Sequence, residues 1–511
     1  MKPYLKLKPW ARGLSMSSVA IASLALVGCA VGPDYVKPQT ALALFHNTAA
    51  SASADSSTGQ RVVDLDAWWT GFDDPMLVTV IERALAQNLD LAAALARVEQ
   101  ARAVAQAAGA ELLPTFDLSA TATAQRQSQQ SPLGTIARTF PGYDRNLREY
   151  TAGAVASWEI DLAGGLRRGA AAARAEAQAA SADHVGTRVT VAADAADAYL
   201  QIRGYQSRLA VALDQITTDE RLLDLVRERR RYGAADDRQV SQADALLRQA
   251  RATVPLLRIA LEAQLNRLDV LMGVQPGTYA AELATPPQDT VRIPKPPGVA
   301  GASEPLEMLR RRPDVLAAER RLAASNERIG AALADYYPKL SLAGALGFDS
   351  ITTNGLFSAR SFQPVGTAGL RWRLFDFGKI DAEVKQARGG YAEALAGYRQ
   401  SILRAAEDVE NAMTAMAQTE VRRQELQAEV AALQRARELS EQAYRLGAIT
   451  LTDVLDADRQ LLVARDGEDE ARTNTSRAAV SLFRSLGGGW TVPSDAPVAA
   501  APAAVATAAR E

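Results

Sequence analysis

Residues 166–232 and 380–446 each run for about 67 residues without a proline, at equivalent places in a sequence that repeats itself. At roughly 1.5 Å of rise per residue, a helix of that length spans about 100 Å, too long for an ordinary compact domain. Such a segment must be a coiled-coil-like rod, and everything else in the chain has to be reconciled with it.

The repetition is explicit. Asn88-Leu89-Asp90-Leu91 through Leu112-Leu113-Pro114 aligns without gaps on Arg312-Pro313-Asp314-Val315 through Tyr336-Tyr337-Pro338, at an offset of 224. Trp158 then matches Trp372, Gly164 matches Gly378, Arg231-Tyr232-Gly233-Ala234 matches Arg445-Leu446-Gly447-Ala448 and Gly273 matches Gly487, all at 214. The ten-residue change falls between Pro114 and Trp158, which predicts a surface loop there.

Each half reads helix, strand, strand, helix, helix. The first helix is predicted over about 76–112, with Asp74 and Pro75 placed as N-cap and first-turn proline. Phe116 to Ala124 alternates apolar and polar residues, the period of a two-faced strand, and Tyr150 to Trp158 returns. In the second half Leu340, Leu342, Leu346 and Phe348 share one strand face, and Ala368, Leu370, Trp372 and Leu374 share one face of the last strand. Shorter helices follow the rods at 235–272 and 449–486. Val254, Leu257, Leu261, Leu265, Leu268 and Met272 form an apolar seam along the first, where Pro255 predicts a local kink. Helices over 85–112 and 235–272 laid end to end reach about 99 Å, the height of one rod. Each half therefore supplies two columns and one hairpin. Four strands cannot close a barrel, which needs about eight, so either the chain oligomerises or the hairpins are not in the membrane. This arithmetic admits a dimer as well as a trimer.

Chemistry is scarce. The chain holds one cysteine, Cys29, and two histidines, His46 and His184. No intrachain disulfide and no Cys/His zinc site can form, and no phosphate loop, nucleophile elbow or dinucleotide fingerprint is present. The reading is not an enzyme, with no metal and no cofactor. A net charge of -2 gives no reason to expect nucleic acid. Lys2, Lys6, Lys8 and Arg12 precede the short apolar run Val19 to Val27, which ends in Leu26-Val27-Gly28-Cys29. That is a signal peptide over 1–28 whose end resembles a bacterial lipobox, making Cys29 the acylated first residue of the mature chain. Ala30, rather than an aspartate, favours sorting to the outer membrane. Residues 29–75 form the lipid-anchored N-terminal segment, with a Ser/Ala/Thr-rich tether at 47–60, and 490–511 is a disordered Ala/Pro-rich tail.

Taken in order on this duplication, several motifs resemble the TolC/OprM family of outer-membrane efflux factors, in its lipoprotein, NodT-like branch. They are Gly28-Cys29-Ala30-Val31-Gly32-Pro33-Asp34-Tyr35, Trp68-Trp69 with Phe72-Asp73-Asp74-Pro75, Leu309-Arg310-Arg311-Arg312-Pro313-Asp314-Val315, Asp335-Tyr336-Tyr337-Pro338-Lys339-Leu340-Ser341-Leu342, Tyr444-Arg445-Leu446-Gly447 and Asp453-Val454-Leu455-Asp456-Ala457. The resemblance implies an α+β membrane protein. Its repeats at 76–273 and 305–489 would form a trimeric 12-stranded β-barrel continuous with a long periplasmic α-helical barrel. The linker at 274–304, with Asp64 to Asp73, would contribute to an equatorial belt. It also implies a passive exit duct for small toxic compounds, lipid-anchored in the outer membrane. Its partners would be a periplasmic adaptor and an inner-membrane RND transporter. A type I polypeptide-secretion duct and a non-conducting periplasmic lipoprotein are the alternatives.

Two sites follow. Gly233 and Gly447 suit helix C-termini because glycine accepts positive φ. The resemblance makes the tips Tyr232, Gly233, Ala234, Leu446, Gly447 and Ala448 the adaptor-docking points. Asp453 and Asp456 share a helix face one turn past the second tip, while the first half carries Gln239 and Gln242 there. Family members carry such a pair at the periplasmic constriction, where a trimer would present up to six carboxylates and crowding would raise some of their pKa values. Helix capping is the plainer alternative for the same residues.

Overall fold

The computed structural model describes residues 30–39, 45–46, 64–284, 292–298 and 309–491. The signal peptide, Cys29, the tether at 47–60 and the tail beyond Thr491 lie outside the described residues. The chain divides into two compact units, one made of residues up to Pro38 with 98–179 and 318–398, the other of the remainder.

The elements follow the doubled plan. Helices α1 (Pro75–Gln87) and α2 (Leu89–Ala110) lead to strand β1 (Thr115–Arg126), a short helix α3 (Pro132–Ala137) and strand β2 (Asn146–Ile160). Helix α4 (Gly165–Arg231), helix α5 (Asp237–Leu271) and the short α6 (Ala280–Ala284) complete the first half. The second half gives α7 (Pro313–Ala334), β3 (Lys339–Ser350), β4 (Phe362–Arg371), α8 (Lys379–Arg445) and α9 (Leu451–Ser485). Both rods are 67 residues long and both companions 35. Asp74 caps α1, accepting from the Met76 and Leu77 amides at 2.9 and 3.2 Å, with Pro75 in the first turn. The length change sits in the hairpin turns, 127–145 against 351–361.

Two expectations are corrected. The helix predicted over 76–112 is two helices, because Asn88 is extended at ψ 129° and its side chain caps α2 through the Leu91 amide at 3.0 Å. Asparagine prefers a cap to a helix interior because its amide competes for backbone groups. The last strand ends at Arg371, so Trp372 and Leu374 lie beyond it. Inside the sheet a strand needs a partner: β2 reaches Ile160 because β3 pairs with its last residues, and among the described residues nothing pairs with 372–374 on the far side of β4.

The four strands form one antiparallel meander in the first unit, ordered β1-β2-β3-β4. Leu118 opposes Ala154, Ala154 opposes Leu346, and Leu346 opposes Pro364. That register gives one face Phe116, Leu118, Trp158, Leu340, Leu342, Leu346, Phe348 and Leu370, and the other Asp117, Ser119, Thr121, Glu159, Ser341 and Thr367. Phe116 is 75% and Leu118 87% exposed. Trp158 and Trp372 each donate their indole N–H, at 3.0 Å, to the carbonyls of Leu112 and Tyr336, one bond made twice. The segment from Ala30 is tied into this unit. The Val31 amide donates to the Ala163 carbonyl at 2.9 Å, Arg168 bridges Asp34 and Glu327 at 2.8 and 2.9 Å, and Lys37 reaches Glu319 at 2.8 Å. Burial alone would raise Glu319, but Lys37 and Arg320 outweigh it and hold the carboxyl below its usual range.

The core of the second unit gathers Trp68, Trp69 and Phe72 from a 3-10 turn (Leu65–Phe72), Leu77 and Ile81 of α1, Tyr199 of α4, Leu265 and Leu268 of α5, and Phe483 of α9. Trp68 stacks on Phe483 with ring centroids 5.3 Å apart. The join between repeats packs here too. Leu283 is buried, Arg83 lies over Tyr279, and Ser476 donates to the Pro294 carbonyl at 2.6 Å. The predicted α5 seam from Val254 to Met272 is buried throughout, and α5 continues through Pro255. Trp490, the first residue of the predicted tail, accepts from Arg311 at 2.7 Å.

Candidate functional site at the helix tips

The ends of α4 and α8 are built alike. Gly233 and Gly447 take φ of +74° and +77°. The Ala234 amide returns to the Arg229 carbonyl at 2.8 Å, and Ala448 to Ala443 at 2.9 Å, the closure of a helix end by a left-handed residue. All six predicted tip residues are exposed, with Tyr232 at 81% and Leu446 at 86%. The helices behind both tips share one apolar cluster, in which Leu223 and Val226 of α4 and Leu247 of α5 pack with Tyr444 of α8 and Leu451 and Val454 of α9. Arg229 fastens them, donating to the Tyr444 carbonyl at 3.1 Å with its guanidinium 4.4 Å over the ring.

The helices leaving the tips begin with matched capping boxes. In the first, Asp236 accepts from the Gln239 amide at 2.8 Å and Gln239 accepts from the Asp236 amide at 3.1 Å. In the second, Asp453 accepts from the Thr450 amide at 2.9 Å and from its hydroxyl at 2.7 Å. Those Thr450 bonds, hydroxyl first, hold the Asp453 carboxyl below its usual range. Within one chain, then, Asp453 does the capping work, opposite in direction to the rise expected from a crowded ring. Asp456 binds Arg459 and Gln460 of its own helix at 2.8 and 2.6 Å.

Just behind the tips lies a group that the motif search missed. Asp219 of α4 and Asp458 of α9 are only 1% and 2% exposed, and each has one carboxylate oxygen without a hydrogen-bond partner. Gln215 donates to Asp219 at 2.7 Å, and Arg437 of α8 to Asp458 at 2.9 Å. Burial, reinforced by Asp458, pushes Asp219 up to about 6, and burial raises Asp458 despite Arg437. The signal was present in the sequence. Asp458 interrupts the seam Leu451, Val454, Leu461, and Asp219 interrupts Ala212, Leu222, Val226, at helical spacing.

The glycines that end α4 and α5 differ in their surroundings. A Cβ on Gly233 would meet nothing within 4 Å, whereas one on Gly273, at φ +70°, would lie 2.4 Å from the Gln87 carbonyl oxygen. Gly233→Ala is expected to cost about 1–2 kcal/mol, the penalty of a left-handed backbone alone. Gly273→Ala should cost clearly more, read as a larger fall in the thermal unfolding midpoint.

Known proteins decide what such a molecule is. The profile of the family described as outer membrane efflux protein matches residues 80–274 and 305–488, one match per repeat. The chain belongs to the outer membrane efflux protein family. It is 33% identical over 427 residues to the pyoverdine export outer membrane protein OpmQ of Pseudomonas aeruginosa, covering 84% of this chain and 88% of that one. It is 30% identical to nodulation protein T of Rhizobium leguminosarum bv. trifolii, covering 92% and 96%. The structure of the outer-membrane channel OprN superposes with a TM-score of 0.79 at 33% identity, over 90% of this chain and all of that one. This efflux protein is an outer-membrane exit duct of a tripartite pump that projects into the periplasm. Its fold is the helical and stranded one of those channels.

Proposed function

We propose that three copies of this efflux protein close their sheets into a 12-stranded barrel continuous with a helical tunnel, and that small toxic compounds pass through it without chemistry. The observation that carries this reading is the sheet itself, predominantly apolar on one face, predominantly polar on the other and open at both edges among the described residues. An open edge in lipid leaves backbone groups unpaired at several kcal/mol each, so a sheet of this kind needs closure. The pyoverdine export protein OpmQ, and a toluene efflux pump outer membrane protein of Pseudomonas putida that is 31% identical, favour small molecules over polypeptides.

In this reading residues 76–273 and 305–489 are the two efflux repeats, joined by 274–304, and Cys29 carries the lipid. Ala30 lies 2.7 Å from the Cβ position of Gly164, just past the end of β2, which supports an anchor near the barrel's periplasmic rim. The exposed tips Tyr232, Gly233, Ala234, Leu446, Gly447 and Ala448 dock a periplasmic adaptor, and an inner-membrane RND transporter supplies the driving free energy. The adaptor opens the duct by binding the open state more tightly than the closed one.

Asp453 and Asp456 then line the closed end. Capping and gating are compatible, because a carboxylate that fixes the first turn of α9 also sets where the charge ring lies. In planar bilayers, Asp453→Ala/Asp456→Ala protein is expected to conduct more at rest and to lose cation preference, as removal of a carboxylate ring requires. Channels that insert normally with unchanged conductance and selectivity would remove the gate from this proposal.

A further inference from the structure

The doubled chain contains a template for the seam between copies. Strand β1 maps on β3 at an offset of 224, from Thr115 on Lys339 to Arg126 on Ser350. Strand β2 maps on β4 at 214, and both hairpins keep one register, Thr115 opposite Ser157 and Lys339 opposite Arg371. The β2–β3 pairing inside the chain is therefore the same kind of junction as β4 against β1 of a neighbour. Its register is known: Trp158 opposes Leu342, Glu159 opposes Ser341 and Ile160 opposes Leu340.

Carrying those pairs over by the two offsets, we infer that β4 extends through Leu374 onto β1 of the next copy, with Trp372 opposite Leu118, Arg373 opposite Asp117 and Leu374 opposite Phe116. This rests on the closed-barrel reading and adds its register. The pairs that result are complementary on both faces, although the offsets were fixed without reference to the edges. Trp372 and Leu374 meet Leu118 and Phe116 on the apolar face, and all four are exposed in the single chain. Arg373 meets Asp117 on the polar face. Asp117 has no ion pair among the described residues, while Arg373 reaches Asp335 only at 3.7 Å and Asp335 keeps Lys339 at 2.9 Å. Opposite charges directly across a strand pair stabilise it, and like charges there oppose it. The early end of β4 at Arg371 has the same cause, since residues 372–374 have their partner on another molecule.

Directly opposed residues in antiparallel strands have Cα atoms about 4.5–5.5 Å apart, within reach of a disulfide. Full-length protein carrying Arg373→Cys with Asp117→Cys, oxidised in the outer membrane, is expected to give linked dimers and trimers on a non-reducing denaturing gel. The two single variants should not, which accounts for Cys29. Arg373→Asp and Asp117→Arg should each lower the fraction of trimer surviving mild heating in detergent several-fold, and the double exchange should restore it. Linking that favours Arg373→Cys with Thr115→Cys or Ser119→Cys, or a double exchange worse than either single, overturns this register while leaving trimers intact. Purified wild-type protein that is monomeric by mass overturns the barrel reading itself, and the seam with it.

Discussion

Arg312→Ala protein is expected to unfold at markedly lower denaturant than the wild type, with a loss of about 2–3 kcal/mol. Arg312 stands at the start of α7 and is buried. Its guanidinium holds Asp314 at 2.8 and 3.0 Å and Asp408 at 2.8 Å, and donates to the Ser485 carbonyl at 3.1 Å. Removing one member of a buried ion pair costs about 3–5 kcal/mol when the other charge is stranded. Here both carboxylates are half-exposed and rehydrate, so the lower figure applies. The Ser485 carbonyl has no such recourse. The first half shows what the position is for: Asn88 occupies the equivalent place, and its amide donates at 2.8 Å to the carbonyl of Leu271, the counterpart of Ser485. Arg312→Asn should therefore recover about 1 kcal/mol of the loss, one hydrogen bond's net worth. Tryptophan fluorescence during urea unfolding in detergent measures all three proteins, with Trp68 and Trp69 in the same unit as reporters. If asparagine at 312 is no better than alanine, the shared bond is not what ties α7 to the end of α9.

That pair of residues also shows what the sequence does and does not disclose. The offset of 224 aligns Asn88 with Arg312, and the positive φ at Gly164, Gly233 and Gly273 recurs at Gly378, Gly447 and Gly487. Backbone requirements are carried by residue type and position, so they could be read directly. The break at Asn88 was less legible, since a single asparagine in a helical pattern is compatible with either a surface position or a cap, and its partner Leu271 lies 183 residues away. The end of β4 was not legible from alternation at all, because pairing decides a strand's length and Trp372 and Leu374 keep the alternation after their partner is lost. At the tips, Tyr232, Gly233, Leu446 and Gly447 lie at the exposed ends of helices. Asp219 and Asp458 escaped notice because a charge run on a helix is ordinarily solvated, and only the packing of α4, α8 and α9 closes these two off from water.

Those two carboxylates give the clearest pH dependence. Asp219→Asn protein is expected to be more stable than the wild type at pH 7.5 and indistinguishable from it near pH 4. The Asp219 carboxyl is raised to about 6 in the folded chain, against about 3.9 unfolded. A carboxyl raised on folding holds its proton more tightly in the native state, so protonation favours the fold. Its contribution is fully present below about pH 4 and is lost as pH rises to the folded value of about 6, when a buried carboxylate must be tolerated. A difference of about 2 pKa units corresponds to roughly 3 kcal/mol, an upper bound because Asp458 and Asp219 titrate together. Asparagine keeps the acceptor for Gln215 and removes the charge. Asp458→Asn should shift stability in the same direction, because burial raises Asp458 too, but Arg437, which donates to it at 2.9 Å and also reaches Glu441 at 3.1 Å, offsets part of the cost of its charge. Thermal midpoints of both variants across pH 4 to 8 test this, and two parallel curves would show that neither carboxyl titrates in the folded protein over that range. At neutral pH the wild type thus keeps an unfavourable charge between α4 and α9, behind the tips. Separation of those helices would hydrate that charge, so the same residue that lowers the stability of this packing lowers the free energy needed to leave it.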